Sequence, residues 1–537
     1  MNGRIFIKDW LKLKPYQSQV STDLYYLRIS NEVKKAFLKN NGFGLFEEIS
    51  NEELLNLVSC FLTSYFEDII SESGIWKSFT SLHNKMYGKI LPFYPTTGYV
   101  NQEINQQDVS FLIWYVINKI QEENVVAFNS ESIAEASKSV MEIFDKEFEY
   151  ALENEKLKSY YEVDNADFDY YEARHFIDTI LFKTYLFYPD TSLKLQSSET
   201  EIFKTKNKEH TLAFLNDNRD NLLHKAHTSL LGLKGAEWAI AILGNDHLLS
   251  HDLKNMSRRI VGYFLYKGQD DTEIFLEHIA SGKKFKMTMK SFAMKLIEID
   301  SILYLGLVNW HNEWWFSGVN YTLSYDAELV AAEKKSFQIR HQVEFLDYDI
   351  KRAEELLADQ MESFLKFNNG SLISFMHSSR LTDFSNKFIK YYNDSLNISA
   401  KGIEESNKRA DENNIYDSLY LKDSPVSGVD TQGLVFFNPK SGLEMAWGIN
   451  NAFPLPDNPN FDEEESVESI LTLLTSPDLS KELLLYAIEH CRQDLRFFQI
   501  DTGKDLIEDI DFLMRFYKME NYFTKPAISL INNEKVY

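Results

Sequence analysis

Residues 259–292 read RIVGYFLYKGQDDTEIFLEHIASGKKFKMTMKSF, and the spacing of their apolar positions decides the fold class. Upstream, apolar residues recur every three or four positions, as on helices; here the period falls to two, as on strands. The turn-forming runs GQDD (268–271) and ASG (280–282) divide the stretch into three antiparallel strands. ILYLGLVNW (302–310) and EWWFSG (313–318) add a hairpin. About five short strands in succession bury their apolar face by curling into a small antiparallel barrel, SH3-like or OB-like.

The hairpin holds three tryptophans in WHNEWWFSG (310–318). A two-residue turn at His311 and Asn312 pairs Trp310 with Glu313, Asn309 with Trp314, Val308 with Trp315 and Leu307 with Phe316. Leu305, Leu307, Trp314 and Phe316 then share the core face. Trp310 and Trp315 lie opposite, beside Val308 and Gly306, as either a stacking platform or a surface covered by a flanking helix. A different loop length exchanges the two faces.

Outward from this stretch, helical spacing dominates. Phe111, Trp114, Tyr115, Ile117 and Ile120 form one such face; Phe176, Ile177, Ile180, Leu181, Tyr185 and Leu186 form another. Asp108 and Ser130 supply start signals, and YPDTS (188–192) ends a helix beginning near Asp167. After Tyr325 a helical pattern returns over 328–367 and stops at NNG (368–370). SLISFMH (371–377) leads as a strand into the helix LTDFSNKFIKYYNDSL (381–396). LKDSPVSGVDTQG (421–433) has linker composition, and GLVFFNP and GLEMAWGI flank a turn at Lys440 and Ser441 ahead of terminal helices. The fold class is therefore α+β, mainly α: a helical domain over 1–250, a small barrel over 251–326, a helical region with a strand–helix unit over 327–420, and a hairpin with terminal helices over 421–537.

The net charge of −25 disfavours general attraction to nucleic acid or to anionic membranes. Two distant cysteines, Cys60 and Cys491, read as free buried thiols of a reducing compartment. The opening MNGRIFIKDWLKLKPYQ lacks the apolar run of a signal peptide, and runs such as FLIWYVI (111–117) are too short to cross a bilayer, so a cytoplasmic location is expected.

Three segments, IFIKDWLKLKPY (5–16), YFLYKGQDDTEIFLEHIASGKKFKMT (263–288) and GLEMAWGINNAFPLPDNPNF (442–461), together resemble an uncharacterised bacterial protein family, a domain of unknown function. The resemblance implies a bacterial source and carries no activity with it.

His224 and His227 are spaced i, i+3 and His247 and His251 i, i+4, so on helices each pair shares a face, as a metal-assisted hydrolase would need, with Asp246 or Asp252 as an oxygen ligand. Ordinary surface and capping histidines give the same pattern. SGKK (281–284) is no phosphate loop, because Glu277 stands where a glycine is required. No GxSxG elbow occurs, and His490 diverges from Cys491 on a helix. Glu354 with Glu355, and Asp462 to Glu465, suit a solvated helix face and a helix N-terminus better than acid–base pairing. No cofactor motif is present.

The barrel region differs. Between 253 and 295 nine basic side chains face four acidic ones, a local +5 within an acidic chain. In KKFKMTMK, Lys284, Lys286, Thr288 and Lys290 alternate with Phe285, Met287 and Met289. A lysine-striped strand beside aromatics is how small barrels hold acidic peptides or single-stranded nucleic acid, and lysine protection of a strand edge looks alike. Lys284, Lys286, Lys290, Trp310 and Trp315 are thus the candidate binding residues. The expectation is a cytoplasmic multidomain binding protein with a protein or peptide partner, single-stranded nucleic acid as the second class, and no membrane. The alternatives are the histidine-based hydrolase and a structural or defence-associated interaction protein.

Overall fold

The structure is a computed structural model that describes residues 3–46, 52–121, 125–205, 211–336, 350–396 and 432–523, with the single positions 343, 401, 402 and 404. The chain divides into two compact units, Met1–Val330 and Ala331–Tyr537. The described residues are mainly helical with two small sheets, an α+β fold.

In the first unit, apolar runs become central helices. Gln106–Ile120 is buried at every position from Asp108 to Asn118, so FLIWYVI packs on all sides. Glu52–Ser71 is long and apolar enough to cross a membrane, but Val58, Phe61, Leu62, Tyr65 and Phe66 are wholly buried in the protein core. Helix starts follow the expected chemistry. Ser130 Oγ accepts from Ile133 N at 3.2 Å, and Asp169 and Glu172 form a reciprocal capping box ahead of Tyr170–Lys183. That helix ends at Lys183, and YPDTS forms a wide buried turn into Leu193–Thr205.

The barrel comprises β1 (Ile260–Gln269), β2 (Glu273–His278), β3 (Lys284–Thr288), β4 (Ile302–Trp310) and β5 (Glu313–Leu323). It closes in the order β1-β2-β3-β5-β4, and β4 returns to β1. Four contacts are antiparallel, and β3 meets β5 in parallel at Met287 and Trp314. This corrects the wholly antiparallel expectation. An odd number of strands cannot alternate direction around a closed ring, so one neighbouring pair must run the same way. Inside, Phe285 packs edge-on against Phe264 at 5.7 Å and against Trp314 at 5.0 Å.

A buried ionic joint fastens the barrel to the helices. Arg259 pairs with Asp217 and donates from Nε to Ser317 Oγ at 3.0 Å. Ser317 Oγ donates to Asp220 at 2.6 Å, and Asp220 accepts from Arg174 Nε at 2.7 Å. Gly306 makes room for this joint: a Cβ there would stand 2.5 Å from Ser317 O and 2.8 Å from the Arg259 guanidinium.

The second unit is built on an antiparallel sheet in the order β6 (Ile373–His377), β7 (Gln432–Asn438), β8 (Gly442–Trp447). The helices Ile350–Phe367 and Leu381–Ser395 cover one face through Phe364 and Phe388 on Phe437; Tyr486 of Lys481–Cys491 packs on Phe436. The middle of the helix expected over 328–367 and nearly all of the proposed linker at 421–433 lie outside the described residues. Cys60 and Cys491 are free and buried, and burial pushes each thiol up to about 12.

Candidate functional site

The lysine stripe lies on the outer face of the β2–β3 hairpin. Lys284, Lys286 and Lys290 are exposed, while Phe285 and Met287 point into the barrel. Register sets Glu277 opposite Lys284 and Phe275 opposite Lys286. Lys286 reaches diagonally to Glu273 at 3.0 Å and lies 5.7 Å over the Phe275 ring. Lys290, just beyond β3, bonds both Glu313 carboxylate oxygens at 2.8 and 3.0 Å. Lys267 of β1 stands 3.8 Å from Glu277 and 2.6 Å from Asp300. The local excess of lysine seen in the sequence is therefore met by acids, two of which, Asp300 and Glu313, come from beyond the basic stretch. The face has mixed sign around a half-buried phenylalanine.

The tryptophan hairpin adopts the register that its two-residue turn requires. His311 and Asn312 have φ of 51° and 64°, Trp310 pairs with Glu313, and Val308 pairs with Trp315. Trp310 and Trp315 are 2% and 6% exposed, so neither offers a ring face to solvent. The helix Tyr170–Lys183 and the segment leading into it cover them: Tyr171 meets Trp315 edge-on at 5.8 Å, and Trp310 Nε1 donates to Phe168 O at 3.0 Å. Trp314 shares the inward face with Phe285 but is only half-buried, because it sits at the short β3–β5 seam.

The four histidines are dispersed in role. The helix Thr211–Lys225 ends before His227, which pairs as an isolated bridge with Lys234, so the assumed shared helical face with His224 does not exist. His224 Nε2 lies 2.9 Å from Tyr170 OH, and burial pushes its imidazole down to about 3. His247 caps Leu248–Asn255: Nδ1 accepts from Leu249 N, and Nε2 lies 3.1 Å from Val163 O. His251 is exposed beside Asp252. Among the described residues no group of three or more His, Cys, Asp or Glu side chains is placed to hold a metal.

Residues 4–266 match the family described as protein of unknown function (DUF3843). No curated protein and no solved structure matches the chain. The family match takes in the helices that precede the barrel and ends within β1, so the lysine stripe and the tryptophan hairpin lie beyond it.

Inside the matched span is a groove of about 520 Å³ that the spacing of apolar residues does not reveal. Its walls are residues 159–169 and the helix Tyr170–Lys183. The signal was present in SYYEVDNADFDYYE (159–172), which holds five acidic and five aromatic residues and no basic one. Such a run has neither helical nor strand periodicity, and so it does not announce itself as an element.

Proposed function

We propose that the chain is a multidomain binding protein whose barrel engages a protein or peptide partner across the exposed β2–β3 face. The mixed-sign ladder of Glu273, Lys286, Glu277 and Lys284 around Phe275 supports this reading most directly. Nucleic acid is held by basic charge that its phosphates can neutralise, with base-stacking rings exposed. Here the lysines face carboxylates, and Trp310 and Trp315 are buried. A polypeptide carries charges of both signs and apolar side chains, and it matches such a face.

Charge reversal provides the test. Lys284→Glu with Lys286→Glu should abolish capture of a discrete protein from the native host while leaving the folded state intact. A labelled oligothymidylate should show no salt-steep binding to the unaltered chain. Tight oligonucleotide binding, with affinity falling steeply as salt rises, would replace this reading by single-stranded nucleic-acid recognition.

A further inference from the structure

We propose that the groove between residues 159–169 and the helix Tyr170–Lys183 is a second binding site that receives a basic peptide, seating an arginine side chain between its aromatic rings and carboxylates. Tyr171, His175, Phe176 and Thr179 recur at helical spacing and present one face to the loop, where Tyr160, Val163 and Phe168 form the opposite wall. The volume of about 520 Å³ falls within the range of preformed ligand sites and accommodates one or two side chains.

Charge names the occupant. Glu162, Asp169 and Glu172 line the groove, and no described lysine or arginine does. Asp169 and Glu172 each accept one backbone N–H at 2.9 Å in the capping box, and Glu162 stands 3.6 Å from Lys158. Each carboxylate retains acceptor capacity beyond these contacts. A guanidinium is planar; it stacks on aromatic faces and forks onto carboxylates, so rings and acids together favour arginine over a neutral or anionic guest.

The walls are held in place before any ligand arrives. Trp310 Nε1 fastens the Phe168 carbonyl, and Tyr171 OH donates to Ser291 O at 2.8 Å and Phe316 O at 3.1 Å. His247 lies against the Val163 carbonyl, and Asn165 Oδ1 accepts from Leu248 N at 2.9 Å. The buried tryptophans of the hairpin thereby position the rings of a neighbouring site. Preorganisation of this kind lowers the ordering cost of binding.

The test uses the full chain and a fluorescein-labelled Gly-Arg-Phe-Arg-Gly peptide at about 0.15 M salt, where long-range attraction to an acidic protein is screened. Saturable binding is expected, weakened about tenfold by Glu162→Lys and by Tyr160→Ala and unchanged by Glu464→Lys, an equal charge change in the second unit. Glu162 and Tyr160 are solvent-accessible, so both variants should fold, and unchanged thermal unfolding confirms it. Lys284→Glu with Lys286→Glu should also leave binding unchanged, which separates this site from the barrel face. Equal weakening by Glu464→Lys, undiminished binding of a citrulline-for-arginine peptide, or no saturable binding would overturn the proposal.

Discussion

Asp108 is a residue whose ionisation burdens the first unit. Its Oδ2 accepts from Tyr65 OH at 2.7 Å and Tyr99 OH at 3.2 Å, and burial pushes the carboxyl up to about 7 from its ordinary 3.8. The folded chain therefore holds a proton that the unfolded chain has released. The contribution to stability is fully present below about pH 4 and is lost as pH rises toward about 7. Asp108→Asn removes this dependence. Relative to the unaltered chain it should gain about 2 kcal/mol between about pH 5.5 and about pH 8 in urea unfolding. A difference that does not change with pH would show that the site stays charged. The tryptophans make a second residue-scale case. Trp315→Ala empties a buried contact with Tyr170 and Tyr171 and should cost about 3–5 kcal/mol. Trp310→Phe keeps a ring but leaves the Phe168 carbonyl without its donor, for about 1 kcal/mol. Tolerance of Trp315→Ala would mean that the helix does not lie on the hairpin.

Elements were legible where local chemistry dictates them. A two-residue turn at His311 and Asn312 admits one register, so every cross-strand partner of the tryptophans could be read from the sequence. Which helix covers the outer face could not be read, because Tyr170 and Tyr171 lie far from the hairpin in the chain and only tertiary packing joins them. The His224–His227 pairing failed for the opposite reason: a helix end two residues away removed the geometry that the spacing presumed. The acidic–aromatic run is not legible as a site in the sequence, because its chemistry appears only once the helix beginning at Tyr170 folds back on the loop. At this scale Asp169→Ala breaks the capping box and should cost about 1 kcal/mol in thermal unfolding. Lys284→Glu with Lys286→Glu should shift stability by no more than about 0.5 kcal/mol, since both side chains are exposed. A larger loss would make the stripe a structural ladder.

At the scale of the whole molecule, the first unit joins a helical layer and a closed barrel through the Arg259–Asp217 pair and the Ser317–Asp220 bond, with Arg174 paired to the buried Asp220. Removing one partner of such a buried set leaves the other charge stranded, so Asp220→Ala should destabilise helix and barrel signals together by about 3–5 kcal/mol. Separate transitions would show two independent bodies within it. The functional account rests on the β2–β3 face, and Phe275 stands at its centre, opposite Lys286. The most direct measurement replaces Phe275 with a photo-crosslinking benzoyl-phenylalanine in the native host, with the same analogue at the exposed Phe203 as control. The account predicts a light-dependent adduct with a discrete protein at position 275 that is absent at position 203. A nuclease-sensitive adduct at position 275, or the same protein adducts at both positions, would contradict it.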